Sequence, residues 1–308
     1  MRGRWSQGPP GVVFTLASGH DRKMALEIVG REKELDVVRV FIGGAAKGAA
    51  ALVLEGEAGI GKSTLWLAAL EHAREQGLRV LFTRPAEAEH GLAHVGLGDL
   101  LDGVLDELPP VEPPPRRRAL EVALLREEES DERLDSRALA VAVRDALHSL
   151  AANGRVLVAV DDVQWLDTSS SSALTFALRR LAGDDLRLLL ARRLDDDVDP
   201  SELERALETQ RLVVGPLSAG ALHRFLHDRL GRSFARQTLL RIHERSGGNP
   251  FFALEVARAL PDEIDPLETL FDPRNARPDL SGADRASAQQ RKLAMEAVND
   301  EVRRILLG

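Results

Sequence analysis

The chain has 308 residues, a formal net charge of −8, 44% hydrophobic and 29% charged residues, and no cysteine. That length can bury one large core or two moderate ones, and the composition is ordinary for a globular protein. The acidic balance argues against a nucleic-acid binder, and the lack of cysteine excludes disulfides, thiolate metal sites and thiol catalysis. It fits a reducing compartment, so a cytoplasmic location is expected. No apolar run approaches the roughly 20 residues that span a bilayer, so no membrane contact is expected. The patch Val12–Ala17 is too short to read as a signal peptide.

Residues 1–24 contain Gly, Pro and Arg without a clear period and read as a disordered extension. From 25 to 215, apolar strands alternate with helices. Strands are expected at Ala51–Glu55, Arg79–Thr83, Arg155–Val160, Leu186–Arg192 and Arg211–Val214. Helices are expected at Ser63–Gln76, stopped by Gly77, at Arg137–Ala152, and at Ser172–Leu181 with Asp167 or Thr168 as its cap. Continuous apolar strands between helices predict a parallel five-stranded sheet covered on both faces, an α/β fold.

A long insert separates the second and third strands. Its Pro109–Pro115 stretch predicts a stiff extended piece, and the runs Arg116–Arg118 and Glu127–Glu129 read as solvated helix surface. Three helical patterns, Ser218–Leu230, Ala235–Ser246 and Phe251–Leu260, predict a small helical lid domain over 216–260. Residues 261–308 read as a polar linker and a terminal helix, with Met295, Val298, Val302, Ile305 and Leu306 on one face.

The first strand runs straight into Gly56-Glu57-Ala58-Gly59-Ile60-Gly61-Lys62-Ser63-Thr64 and then a helix. Strand, Gly-x-x-x-x-Gly-Lys-Ser, helix is the setting of a Walker A phosphate loop. Glycines tolerate positive φ, so the backbone can curl its N–H groups inward around phosphate oxygens. Lys62 supplies a point charge for the β- and γ-phosphates, Ser63 a hydroxyl for Mg²⁺, and the helix its positive N-terminal end. A Gly-rich turn that merely ends in Lys-Ser is the plainer reading, and the flanking strand and helix weigh against it.

The third strand ends in Asp161-Asp162, at the end of a strand where open α/β sheets bind ligands. Asp161 is the expected Mg²⁺ partner, through water. Asp162 points differently because strand side chains alternate, and is a candidate general base. A pair of capping aspartates is the alternative. The fourth strand ends in Arg192-Arg193; an arginine here, Arg192 in preference to Arg193, could stabilise transition-state charge, or be a surface residue. The pairs His90/His94 and His223/His227 have no third ligand at metal-site spacing and read as solvated side chains.

Five motifs occur in order: Val29-Gly30-Arg31-Glu32-x-Glu34-Leu35, the Walker A, Asp161-Asp162-Val163-Gln164-Trp165-Leu166-Asp167, Pro216-Leu217-Ser218 and Ser246-Gly247-Gly248-Asn249-Pro250-Phe251-Phe252. Together they resemble the P-loop NTPases called signal-transduction ATPases with numerous domains (STAND), and most closely the AAA-like ATPase module of large LuxR-type transcriptional regulators, including MalT-like proteins. The resemblance covers about 25 to 260. It implies ATP as the nucleotide, Val29 and Gly30 lining the adenine pocket with Arg31 nearby, and Pro250 touching the nucleotide from the lid. It implies a slow ATPase that works as a regulatory switch; the alternatives are a non-hydrolysing ATP-bound interaction module or a truncated fragment. Family members continue into a DNA-binding helix-turn-helix. The last 48 residues here carry no such pattern, so direct DNA binding by this chain is not expected. Association with a protein partner or a second copy through the lid and terminal helix is.

Overall fold

The computed structural model describes residues 28–44, 48–109, 111–127, 134–194 and 200–260. The expected extension at 1–24 and the terminal segment from 261 lie outside these residues.

Helix α1 (Glu32–Gly43) leads into β1 (Ala50–Gly56), α2 (Lys62–Glu75) and β2 (Arg79–Thr83). The insert forms α3 (Val95–Leu101) and α4 (Pro114–Ala123), followed by α5 (Ser136–Ala152) and β3 (Val156–Val160). Then come α6 (Thr168–Leu178), β4 (Leu186–Arg193), β5 (Thr209–Val213) and a helical unit of α7 (Ala219–Leu230), α8 (Arg236–Ser246) and α9 (Pro250–Arg258). The strands form one five-stranded sheet in the order β2-β3-β4-β1-β5, and every pairing is parallel.

Two cores explain why the central strands read as unbroken apolar runs. Val156, Val158, Val160, Leu188 and Leu190 face a layer that contains α5 and α6. Leu157, Ala159, Leu189 and Ala191 face the other layer, with Leu65, Trp66, Ala69 and Leu70 of α2. Helical residues Leu222, Leu226, Ile242, Ala253 and Leu254 form a third cluster in the helical unit.

Several local expectations are corrected. The Pro109–Pro115 run does not stay extended throughout: Pro114 and Pro115 open α4, where a missing N–H and a φ near −65° suit the first helical turn. Its arginines are surface residues as expected, with Arg117 facing Glu121 and Arg118 facing Glu127. The helix expected at Ser172–Leu181 begins four residues earlier, at Thr168, because Asp167 caps it. Helices α1 and α3 were not expected; α3 is seven residues long, too short to establish a period.

Asp167 is more than a cap. One carboxylate oxygen accepts from the Ser170 N–H at 2.8 Å and the His94 N–H at 2.9 Å, and the other accepts from the Gly96 N–H at 3.1 Å. It therefore ties the start of α3 to the start of α6. Burial alone would raise this carboxyl, but the hydrogen bonds from Ser170, Gly96 and His94 outweigh it and hold it below its ordinary value. Asp167→Ala should cost about 2–3 kcal/mol in urea unfolding at pH 7, from the orphaned N–H groups and the lost cap. Because the folded value is lowered, this stabilisation is fully present above the unfolded carboxyl value of about 3.9 and disappears as pH falls through the folded one. The gap between variant and wild type should narrow in that range.

Candidate functional site

Because all strands run the same way, their C-terminal ends converge on one edge of the sheet. The β1 strand sits beside both β4 and β5, so the chain leaves it in one direction and returns on its other side. Crevices at such switch points are where α/β sheets take ligands.

The phosphate loop occupies that position. Gly59 and Gly61 have φ of +77° and +106°, the left-handed region that the curled loop requires. Gly61 is the N-cap of α2, so the loop delivers the chain directly into the helix. The Lys62 ammonium is buried against the loop, donating to the Gly56 and Glu57 carbonyls at 2.9 Å each.

Asp161 immediately follows β3, whose Leu157 and Ala159 face α2, and it reaches the start of α2 through Ser63. Its Oδ1 accepts from the Ser63 hydroxyl at 3.3 Å and from the Asp162 N–H at 3.1 Å. Its Oδ2 accepts from the Arg84 Nε at 3.2 Å, with the Arg84 Nη2 at 3.1 Å. Burial, with the Asp162 charge adding to it, pushes the Asp161 carboxyl above its ordinary value; Arg84 and the Ser63 hydroxyl oppose that. The carboxylate, the hydroxyl and the phosphate loop together suit a hard divalent cation of the Mg²⁺ type, which needs only one or two protein oxygens beside substrate phosphates. No cluster of three or more His, Cys, Asp or Glu suited to a metal exists among the described residues.

Strand alternation does not orient Asp162. It is not in the strand: its φ of 47° turns it into the left-handed region. There its carboxylate accepts from the Gln164 side-chain amide at 2.9 Å and faces the Arg193 Nε at 3.6 Å. Register and alternation also separate the two arginines of β4. Arg192 continues the face of Leu188 and Leu190 and pairs with the buried Glu204 at 2.9 Å. Arg211 on β5 joins the same network, bonding Glu55 and lying 3.6 Å from Glu204. The structure thus brings Arg193, not Arg192, to the Asp162 carboxylate.

The helical unit grips the loop itself. The Asn249 side-chain amide donates to the Ala58 carbonyl at 3.0 Å, while its oxygen accepts from the Phe251 N–H at 3.1 Å and so caps α9. A Cβ on Gly59 would lie 2.6 Å from the Phe251 Cβ. Arg31 closes the other side: its guanidinium donates to the Ile60 carbonyl at 2.7 Å and the Gly215 carbonyl at 2.6 Å. Gly30 has φ +71° and passes against Ala221 of α7, so closely that a Cβ would come within 2.4 Å of its side chain.

Between sheet and helical unit lies a cleft lined by Ile28, Val29, Arg31, Ile60, Gly61, Thr64, Leu217, Phe225, Asp228, Arg229 and Pro250. Its non-atom space, solvent at the mouth included, is about 530 Å³. Val29, Arg31 and Pro250 thus line one cavity with the end of the phosphate loop, whereas Gly30 packs against Ala221. Leu217, Phe225, Asp228, Arg229 and Arg84 were missed. Only Arg84 carried a signal: it is the first residue after a parallel strand, like Asp161. Of the paired histidines, His90 packs edge-on against Trp165, and His227 meets Ser233.

A model of the AAA ATPase domain matches residues 27–191. The chain belongs to the AAA ATPase domain family. No curated protein matches it. Among solved structures, this AAA ATPase is similar to Cdc6p from Pyrobaculum aerophilum, at 14% identity and a TM-score of 0.50, over 77% of this chain and 63% of that one. It is also similar to a STAND protein with a tetratricopeptide repeat sensor from Pyrococcus horikoshii, at 16% identity, a TM-score of 0.43, and 78% and 31% coverage. A third is AMPPCP-bound DnaA from Aquifex aeolicus, at 14% identity, a TM-score of 0.44, and 88% and 68% coverage. The chain spans less than a third of the STAND protein and under two thirds of Cdc6p. These likenesses concern the P-loop NTPase fold. No helix among the described residues is long and apolar enough to cross a membrane.

Gly59→Ala combines a left-handed backbone position with a clash against Phe251. It should lower stability by about 2–3 kcal/mol in chemical denaturation while far-UV circular dichroism stays unchanged.

Proposed function

We propose that this chain is a regulatory ATP switch, in which one nucleotide is held jointly by the phosphate loop and the helical lid. The observation that carries this is the Asn249 bond to Ala58. The lid contacts the loop that meets the phosphates, so the occupant of the loop bears directly on where the lid sits.

In this reading Gly56 to Thr64 cradle the phosphates, with Lys62 supplying charge and the start of α2 its dipole. Ser63 and Asp161 would hold Mg²⁺, which supplies charge neutralisation on the phosphates. Val29 and Pro250 face the base and ribose across the cleft, whose apolar walls suit a purine. Asp162, held by Gln164 and facing Arg193, takes the proton of the attacking water. Arg193 meets the charge developing on the γ-phosphate. Turnover need be only slow, since the state of the bound nucleotide is the signal. The ordered motifs support the finer assignment to the ATPase module of LuxR-type regulators, with output passed to a protein partner or a second copy.

Isothermal titration with ATP and Mg²⁺ tests binding: wild type should bind with micromolar affinity and Lys62→Ala should not. Wild-type protein that fails to bind would sink the proposal. For the chemistry, Arg193→Ala should lower phosphate release about 100-fold with ATP affinity little changed. Arg192→Ala should instead cost about 3 kcal/mol of stability, because it removes the nearer and more buried of the two cations that meet the buried Glu204 charge. The reverse pattern would return the role to Arg192.

A further inference from the structure

Arg84 takes no part in the proposed ATP switch, yet its guanidinium is tied to the Asp161 carboxylate. It follows β2, whose last residue Thr83 pairs with Val160 of β3, so it arrives beside Asp161. Its Nε donates a hydrogen bond to Oδ2 of Asp161 at 3.2 Å, and its Nη2 lies in an ion pair with the same oxygen at 3.1 Å. The other oxygen, Oδ1, faces the Ser63 hydroxyl. The guanidinium carbon also lies over the Trp66 ring, 5.8 Å from its centroid, within cation–π range. Trp66 lies three residues beyond Ser63 on α2, so the hydroxyl and the arginine's platform share one helical turn.

Trp66 is fully buried, and its indole N–H has no hydrogen-bond partner among the described residues. A leucine would fill apolar space without an orphaned donor. What the indole adds is a flat π surface, met by Arg84 on one side and by the Phe82 edge at 6.1 Å. Held against that ring, the guanidinium has less room to swing, and its Nε and Nη2 converge on Oδ2, so that oxygen is held in place.

We propose that Arg84 is a positioning residue for the metal-binding carboxylate: it pins Oδ2 of Asp161 so that Oδ1 is presented beside Ser63 for a divalent cation. This rests on the reading of Ser63 and Asp161 as the Mg²⁺ holders. Arg84 does not touch the nucleotide; it acts through Asp161, as outer partners orient the ligands of other metal sites. The lysine variant keeps the charge but has neither fork nor plane, so it restores only part of the effect.

The test is a fluorescent ATP analogue titrated into full-length wild type, Arg84→Gln and Arg84→Lys, in EDTA and across a Mg²⁺ series. In EDTA the three proteins should bind alike. The Mg²⁺ concentration at half effect should rise about tenfold in Arg84→Gln and by less in Arg84→Lys. A Mg²⁺ curve for Arg84→Gln that superimposes on wild type, or moves to lower Mg²⁺, overturns the proposal while leaving the ATP switch standing. Equal loss of binding in EDTA and in Mg²⁺ also overturns it, because Arg84 is then a structural residue. If Arg84→Gln does not fold, the Arg84→Lys curve decides alone. Wild-type binding that ignores Mg²⁺ overturns both this inference and the metal assignment beneath it.

Discussion

A carboxylate out of water is costly unless donors surround it, and this site is arranged around one such group. Asp161 lies at the end of a wholly buried strand. Its charge is met by the Ser63 hydroxyl, the Asp162 N–H and the Arg84 guanidinium. Those donors come from α2, from the turn after β3 and from the end of β2. Three segments distant in sequence must therefore be placed together before the carboxylate can stay charged. The parallel sheet does this, since it brings all its strand ends to one edge.

A second constraint joins sheet to lid. Asn249 spends one end of its side chain capping α9 and the other on the phosphate loop, so helix formation in the lid and its docking are coupled. Gly59 lets Phe251 approach, and Gly30 lets α7 approach. Arg31 bonds the loop and the Gly215 carbonyl that begins the passage into the lid. A ligand that displaces the loop cannot leave these contacts unchanged. Here hydrogen bonds and close packing together join the phosphate loop to the helical unit.

Much of the site was readable because its chemistry is local. A phosphate loop needs its glycines, lysine and serine in one continuous stretch, so spacing alone identifies it. Buried parallel strands announce themselves as apolar runs, and Asp161 declares itself by ending one. Arg192 and Arg193 show where that reasoning stops. They are adjacent and chemically identical, and only the face each takes decides that one meets Glu204 and the other Asp162. Asp162 shows the same limit, because strand alternation was applied one residue too far, into a left-handed turn. The lid's Phe225, Asp228 and Arg229 sit on an ordinary amphipathic helix, where nothing distinguishes a cleft-facing residue from a solvated one.

The sequence by itself determined the α/β layering, the phosphate loop and the acidic end of β3, because each depends on residues within a few positions of one another. Tertiary structure alone decided which arginine meets Asp162, that Arg84 and Trp66 lie beside Asp161, and that the helical unit bonds the loop through Asn249. These depend on the register between strands and on which helix faces meet, and such contacts join residues as far as 191 positions apart, as Asn249 and Ala58 are.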